Sequence, residues 1–373
     1  MGLLTEVGRF GLKIMFHYRF DLKYTYDHFD PKTKSPYLLL GNHATQHDPL
    51  IVGMVIKRYP YPVANSFLYT NPIFKWLLTH VVTSISKRKG QSDMQTIRLI
   101  LDAIHKQKRP VMLFPEGNAS YFGEQTKTDY VPTAKLIKKL NVDVVIAKIN
   151  GGYLAHPRWG FYRKKGHFHT HFYTLISKAS LPSLSVEQIE IQLKNAIAFN
   201  DFKWNALKQF RYRLKGRSDG IEHYLYYCPK CQKTQTLKGK DADIYCIHCG
   251  KIASFDETSR LIGPYPSLVE WGNDQKKIFP KRLNKAIQTE GQLFQVDVIQ
   301  QKKKALGYQY VMLENQKLKI KTDPVITFDV DKIQGEVITR KHNLSFDYGE
   351  QTFNFLLKDP MIILNAITYI KEN

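Results

Sequence analysis

The chain has 373 residues, 43% of them hydrophobic, enough for two or three domains with a sizeable core. Its 55 Lys and Arg against 33 Asp and Glu give a formal net charge of +22, which favours an anionic partner: a nucleic acid, a lipid head group or a phosphorylated substrate. No window reaches the roughly 18 uninterrupted apolar residues of a spanning helix; the nearest, "NPIFKWLLTHVVTSIS", is broken by Lys75 and His80, so no transmembrane span is expected.

The first segment, residues 1–34, opens with an amphipathic helix. On a wheel of residues 3–18, Leu3, Leu4, Val7, Phe10, Ile14, Met15 and Tyr18 share one side, and Glu6, Arg9, Lys13 and His17 the other. Such a helix either lies on a membrane surface or packs on the protein's own core; Leu12 and Phe16 widen the apolar side and tilt the expectation toward lipid. There is no apolar stretch ending in a small-residue cleavage site, so a secretory signal is not expected. The expected location is the cytoplasm, peripheral on the inner face of the cell membrane.

Over residues 35–220, short apolar runs ("YLLL", "VMLF", "VDVVIAKI", "HFYTLIS") alternate with helical stretches, the pattern of an α/β layer with a sheet covered by helices. The helix at 94–105 is expected to bury Met94, Ile97, Leu101 and Ile104, with Ser92 or Asp93 as cap. Ser185 and Gln188 form a capping-box pattern before a helix that buries Val186, Ile189, Leu193 and Ile197.

The texture changes at residues 221–262, a cysteine-bearing insert, and again after the joint "IGPYPS". Residues 263–373 read as seven short strands ("FQVDVI", "YQYVML", "KLKI", "VITFDV", "EVIT", "LSFDY", "TFNFLL") and a closing helix with Asp359 as cap and Pro360 in its first turn. This succession is topologically similar to a pleckstrin-homology-like module.

Two loops hold the groups that can do chemistry. "GNHATQHDPL" lies where the strand "YLLL" passes into a helix, and strand-to-helix loops are the usual place for catalytic groups in α/β proteins. His43 there can accept a proton near neutral pH, and Asp48 can fix its tautomer. The spacing serves structure equally well: Asp48 before Pro49 is a standard helix start, and His47 competes as the base. The second loop, "VMLFPEGNAS", sets Glu116 and Gly117 just after a strand, where a glutamate can orient a hydroxyl or cation and a glycine permits close approach. Between them "SISKRKG" offers Arg88 as a phosphate fork or as part of a solvated basic face.

In this order and spacing, Asn42, His43, Asp48, the "ISKR" block and "FPEG" resemble the glycerophospholipid acyltransferase family, whose best-known members are 1-acylglycerol-3-phosphate acyltransferases; the resemblance covers roughly residues 35–200. It implies a mixed acyltransferase-type sheet covered by helices. It further implies a reaction in which His43, supported by Asp48, is general base on the hydroxyl of a lysophospholipid acceptor attacking an acyl thioester. Asn42, Arg88, Glu116 and Gly117 are then the substrate-binding positions, and Arg88 meets the acceptor's phosphate. The donor would be acyl-CoA or acyl-carrier-protein, with no catalytic metal, and an anionic membrane surface would be a partner. The chain departs from the family in three places: Asn118 and Ala119 follow the glutamate-glycine pair where many lysophosphatidate enzymes have threonine and arginine, "VVIAKINGG" lacks a proline, and "YVPTAK" replaces a later block. 1-Acylglycerol-3-phosphate is therefore the default acceptor, with other lysolipids open and His156 and Arg158 as replacement cations.

Cys228, Cys231, Cys246 and Cys249 repeat a CxxC pair across a hairpin-length spacer and are all four cysteines of the chain. This is the pattern of a zinc ribbon with a closed structural site; two redox pairs or an iron–sulfur centre are the competing readings, and His248 a competing ligand.

Two other functions stay open on the sequence alone. One is a lipid-binding or regulatory homologue with weak or no catalysis. The other is a zinc-ribbon nucleic-acid binder, disfavoured because the insert interleaves few aromatic and basic residues beyond Tyr226, Tyr227 and Tyr245.

Overall fold

Period-two and continuous apolar runs set the sheet, and the helical stretches between them cover it. The computed structural model describes residues 3–65, 69, 72–87, 94–160, 165–212, 215–282, 285–297, 302–339 and 341–373. The chain divides into two compact units, Met1–Pro157 with Arg163–Arg213, and Arg158–Tyr162 with Leu214–Asn373.

The first unit is built on a seven-stranded sheet: β1 (Asp21–Asp27), β2 (Tyr37–Gly41), β3 (Tyr61–Asn65), β4 (Ile85–Lys87), β5 (Val111–Leu113), β6 (Asp143–Asn150) and β7 (His167–Ile176), in the order β1-β7-β6-β2-β5-β3-β4. β6, β2, β5, β3 and β4 run parallel, whereas β7 is antiparallel to β6 and β1 is parallel to β7. Central β2 is buried at all five positions, as expected for a parallel strand covered on both faces. On one face Leu38, Leu40, Val144 and Ile146 pack with Ile104, Ile137, Leu140, Ile189, Leu193 and Ile197 from the covering helices. The Ser185–Gln188 capping box opens the helix Val186–Ile197 as expected.

The helix expected at 94–105 departs in phase. It is α-helical over Met94–Leu101 and widens to a π-turn over Asp102–Lys106, and its buried face is Thr96, Ile100, Ala103 and Ile104, with Met94 exposed. Thr96 is drawn inward because its hydroxyl bonds the Ser86 carbonyl of β4. Its expected caps, Ser92 and Asp93, lie outside the described residues.

α1 (Leu3–Arg19) is turned differently from what its helical wheel suggests. Arg9, expected on the solvent side, is buried and donates to the carbonyls of Met54, Ile56 and Lys57, its guanidinium lying over the Tyr59 ring. Those carbonyls follow α2 (Asp48–Gly53) and lack helical partners, which is why a charged side chain replaces an apolar one there. Phe16, two turns further along, is also buried, while Val7, Phe10, Ile14 and Tyr18 are 58% to 83% exposed and form the outward face.

In the second unit the cysteine insert forms a four-stranded antiparallel sheet, β8 (Leu237–Lys240), β9 (Asp243–Cys246), β10 (Gly250–Phe255) and β11 (Leu261–Ile262). All seven expected strands follow: β12 (Ile287–Asp297), β13 (Lys302–Glu314), β14 (Lys317–Ile320), β15 (Ile326–Asp329), β16 (Gln334–Thr339), β17 (Asn343–Tyr348) and β18 (Gln351–Leu357). They make one antiparallel half-barrel in the order β15-β14-β13-β12-β18-β17-β16, with Phe328, Phe346, Phe353 and Phe355 in mutual ring contact inside. The closing helix Pro360–Glu372 buries Met361, Ile362, Ile363 and Ile367. Asp359 stands at its start but does not cap it; its carboxylate accepts from Gln235 Nε2 (3.1 Å).

Candidate active site

The site lies at the carboxyl ends of β2, β5 and β6. β2 ends on Gly41, paired with Ala147, where a Cβ would lie 2.9 Å from the Phe114 ring and 3.1 Å from the Ala147 carbonyl. The glycine thus lets Phe114, the residue after β5, close against the strand end, and that ring lies beside the His43 imidazole with centroids 4.7 Å apart.

His43 Nδ1 is 2.9 Å from Asp48 Oδ2. The Asp48 carboxylate is fully buried and also accepts the Thr45 N–H (2.8 Å) and the Thr45 hydroxyl (3.1 Å). Three donors on a carboxylate in a dry setting hold it in one orientation. Asp48 therefore fastens the turn before α2 and the imidazole together; the side chain at the helix start, His47, makes no capping bond. The His47 ring packs against Phe16 (5.6 Å) and His156 (4.7 Å). It is the His43 imidazole that lies at hydrogen-bond distance from the carboxylate.

Glu116 is nearly buried, and both its oxygens are held by backbone: Oε1 accepts the His43 N–H (2.9 Å) and Oε2 the Thr126 N–H (2.8 Å). Burial pushes its carboxyl up to about 7, partly offset by those two donors. The His43 carbonyl in turn accepts the Ser120 N–H (2.8 Å), so "FPEGNAS" clamps His43 on both backbone groups. Gly117 has φ +65°, a region that favours glycine, and open space stands where its Cβ would be.

Asn42 is fully buried, its amide pairing with the Ile149 backbone: Nδ2 donates to the carbonyl (2.9 Å) and Oδ1 accepts the N–H (2.7 Å). This pins the loop to β6. Asn42 and Glu116, expected to meet substrate, thus have protein partners that order the loop. Arg88 lies outside the described residues. Asn118 donates to the Tyr121 hydroxyl (2.6 Å) and Ala119 is buried, so neither supplies a cation. His156 lies beside His47. Arg158, expected as a replacement cation, belongs to the second unit, where it donates to the Ile338 carbonyl.

Sequence reasoning missed Asp201. Fully buried, it accepts the N–H groups of Gly151 (2.9 Å) and Tyr153 (2.8 Å), fixing the turn after β6. Burial pushes its carboxyl up to about 7. Gly152 in that turn packs so closely on Ala44, next to His43, that a Cβ would lie 3.1 Å away. The detectable signal was "FNDFKW", an Asn cap with an acidic first helical residue.

The four cysteines converge in the second unit: their Sγ atoms all lie within 4.8 Å of one another, Cys231 and Cys246 at 3.8 Å. A tetrahedral thiolate set with metal–sulfur bonds of about 2.3 Å has edges of about 3.8 Å, so the donor set fits a metal. Each CxxC turn is held by backbone, Cys228 N–H to the Lys233 carbonyl (3.0 Å) and Cys249 N–H to the Cys246 carbonyl (3.3 Å). His248 is exposed and not part of the cluster.

Residues 23–169 match the family model described as Acyltransferase, a stretch that contains Asn42, His43, Asp48, Glu116 and Gly117 but none of the cysteines. Over 134 residues the chain is 25% identical to the 1-acyl-sn-glycerol-3-phosphate acyltransferase of Saccharomyces cerevisiae, covering 35% of this chain and 44% of that protein. The chain thus spans less than half the length of that relative. The crystal structure of the 1-acyl-sn-glycerophosphate (LPA) acyltransferase PlsC from Thermotoga maritima is similar with a TM-score of 0.45 at 15% identity, over 57% of this chain and 82% of that one. The likeness to the acyltransferase family is carried by residues 23–169, the stretch that holds the clamped histidine loop.

Proposed function

We propose that the chain transfers a fatty acyl group from an acyl thioester, of coenzyme A or a carrier protein, to the hydroxyl of a lysophospholipid, with 1-acylglycerol-3-phosphate as the default acceptor. The observation that carries this reading is the His43–Asp48 pair at 2.9 Å, on a loop held by Glu116 and Asn42 at the carboxyl ends of parallel strands. With Nδ1 committed to Asp48, Nε2 is the nitrogen that meets the acceptor. It takes the hydroxyl proton as the oxygen attacks the thioester carbonyl. The C–S bond breaks, and the imidazolium returns the proton to the leaving thiolate, giving ester and thiol. Asp48 stabilises the imidazolium in between. Glu116 and Asn42 act as positioning residues, Gly117 leaves room for the substrate, and Arg88 is assigned to the acceptor's phosphate.

The four thiolates suit zinc in a closed site without an open position, which gives the metal a folding role. The outward face of α1, Val7, Phe10, Ile14 and Tyr18, fits peripheral attachment to an anionic bilayer, on the inner face of the cell membrane. No helix among the described residues is long and apolar enough to cross a membrane.

The second reading, a lipid-binding homologue with weak or no turnover, is favoured by Asn118 and Ala119, which bring no cation to the loop. Mass-spectrometric acyl transfer with wild type and His43→Ala, over a panel of lysolipids and both donor types, separates the two. Diacyl product from wild type and none from the variant supports the catalytic reading and names the acceptor. Vesicle binding without product from any acceptor overturns it in favour of the second.

A further inference from the structure

The half-barrel carries an exposed face that the acyltransferase site does not use. On β13, Val311 and Leu313 point inward, so Tyr308, Tyr310 and Met312 point outward, and the two tyrosines are 62% and 48% exposed. On β14, Leu318 and Ile320 point inward; Lys319, opposite Met312 and ion-paired with Glu314 (3.1 Å), and Lys321, just past the strand, whose N–H donates to the Tyr310 carbonyl, share the outward face. Val325, just before β15, is 59% exposed. Lys321 Nζ lies 5.8 Å from the centre of the Tyr310 ring and, among the described residues, within ion-pair distance of no carboxylate. At the far end of β13, Lys303 Nζ lies 3.4 Å from the centre of the outward Phe294 ring.

We propose that this face, centred on Tyr308, Tyr310, Lys321 and Val325, binds an anionic lipid bilayer as a membrane contact separate from α1. Tyrosine has an apolar ring and a polar tip, the combination that settles at a water–lipid interface, and lysine extends its apolar stem along the surface while its ammonium reaches the head groups. Val325 and Met312 add apolar area that a solvated sheet face does not need. Lys319 is balanced by Glu314, so it is the Lys321 ammonium that complements an anionic leaflet, where one basic residue contributes about a fivefold gain in binding. The proposal rests on the lipid-directed reading of the first unit. Stacking of a single-stranded nucleic acid on the same tyrosines is the alternative occupant that the test includes.

The experiment is co-sedimentation of the full chain with phosphatidylcholine vesicles, with and without phosphatidylglycerol, beside acyl transfer to a short-chain lysolipid below its micelle concentration. The variants are Tyr308→Ser/Tyr310→Ser/Lys321→Glu, Lys321→Glu alone, and Phe10→Ser/Ile14→Ser in α1. The expected result is that the triple variant weakens binding to anionic vesicles by about tenfold or more, that Lys321→Glu accounts for part of this, and that the loss adds to that of the α1 variant at unchanged melting temperature. Unchanged vesicle binding by the triple variant overturns the proposal. So does loss of binding to a single-stranded oligonucleotide with vesicle binding intact. If wild type gives no acyl transfer but the triple variant still loses vesicle binding, the catalytic reading falls and this proposal stands.

Discussion

Glu116 and His43 are joined through the main chain: the buried carboxylate accepts the histidine's backbone N–H at 2.9 Å while its second oxygen holds Thr126 at 2.8 Å. Replacing it with alanine strands two backbone donors, each costing about 1–3 kcal/mol, and frees the loop that carries the imidazole. Glu116→Ala is expected to melt lower and to lose kcat with little change in acceptor KM. A rise in KM alone, with kcat preserved, would instead show that Glu116 meets the substrate directly.

The His43–Asp48 pair makes a sharper prediction. His43→Ala removes the proposed proton acceptor and should lower kcat by about 10² to 10⁴, the usual worth of general-base catalysis. Asp48→Asn keeps the volume but puts an amide where three donors converge, so it should lose activity and also destabilise the turn. His47→Ala should keep most activity, since that ring packs on Phe16 and His156. Single-turnover rates on correctly folded protein check all three.

Much of this was legible in the sequence because the signals were local. The seven strands of the half-barrel follow period-two patterning between turn residues, and the capping box at Ser185 lies within four residues. The four cysteines declared themselves by spacing. What stayed hidden depends on pairing across the chain. Asn42 meets Ile149, 107 residues away, and Asp201 meets Gly151 over a gap of 50. A wheel of α1 identifies the apolar side correctly but cannot tell which side meets protein. That was decided by the partnerless carbonyls after α2, which Arg9 satisfies. Arg158 misled for the same reason: its place beside "GGYLAHP" says nothing of the Ile338 carbonyl it reaches.

Glu116 and Asp201 also give stability a pH dependence. Burial raises Glu116 from 4.5 to about 7 and Asp201 from 3.8 to about 7. A carboxyl whose folded-state value is raised binds its proton more tightly in the native chain, so its contribution is fully present below the unfolded value and is lost as pH rises through the folded one. Melting temperature should therefore carry a downward component that sets in from 3.8 for Asp201 and from 4.5 for Glu116 and runs to about pH 7. Asp201→Asn, which cannot ionise, should start lower, because its amide faces a backbone donor, yet lose less over that window. Parallel slopes for wild type and variant would remove Asp201 from this role.

The cysteine cluster is predicted to be a folding site. Four Sγ atoms within 4.8 Å of one another, two of them on buried cysteines, would leave four crowded thiols without an ion; a bound metal converts them to a tetrahedral thiolate set and holds the two CxxC turns together. The insert is bound to the rest of its unit by Trp271 Nε1 on the Tyr227 carbonyl (2.9 Å) and by Gln235 on the Gln288 carbonyl (2.9 Å), so loss of the ion should loosen more than the hairpin. Purified protein is expected to contain one zinc per chain by elemental analysis. Strong chelation, or Cys246→Ser, should lower the melting temperature and expose the Tyr226–Gln275 region to proteolysis, while readdition of zinc restores the wild type. Retained stability after complete metal removal, or an iron–sulfur absorption spectrum in the purified protein, would reject the zinc assignment.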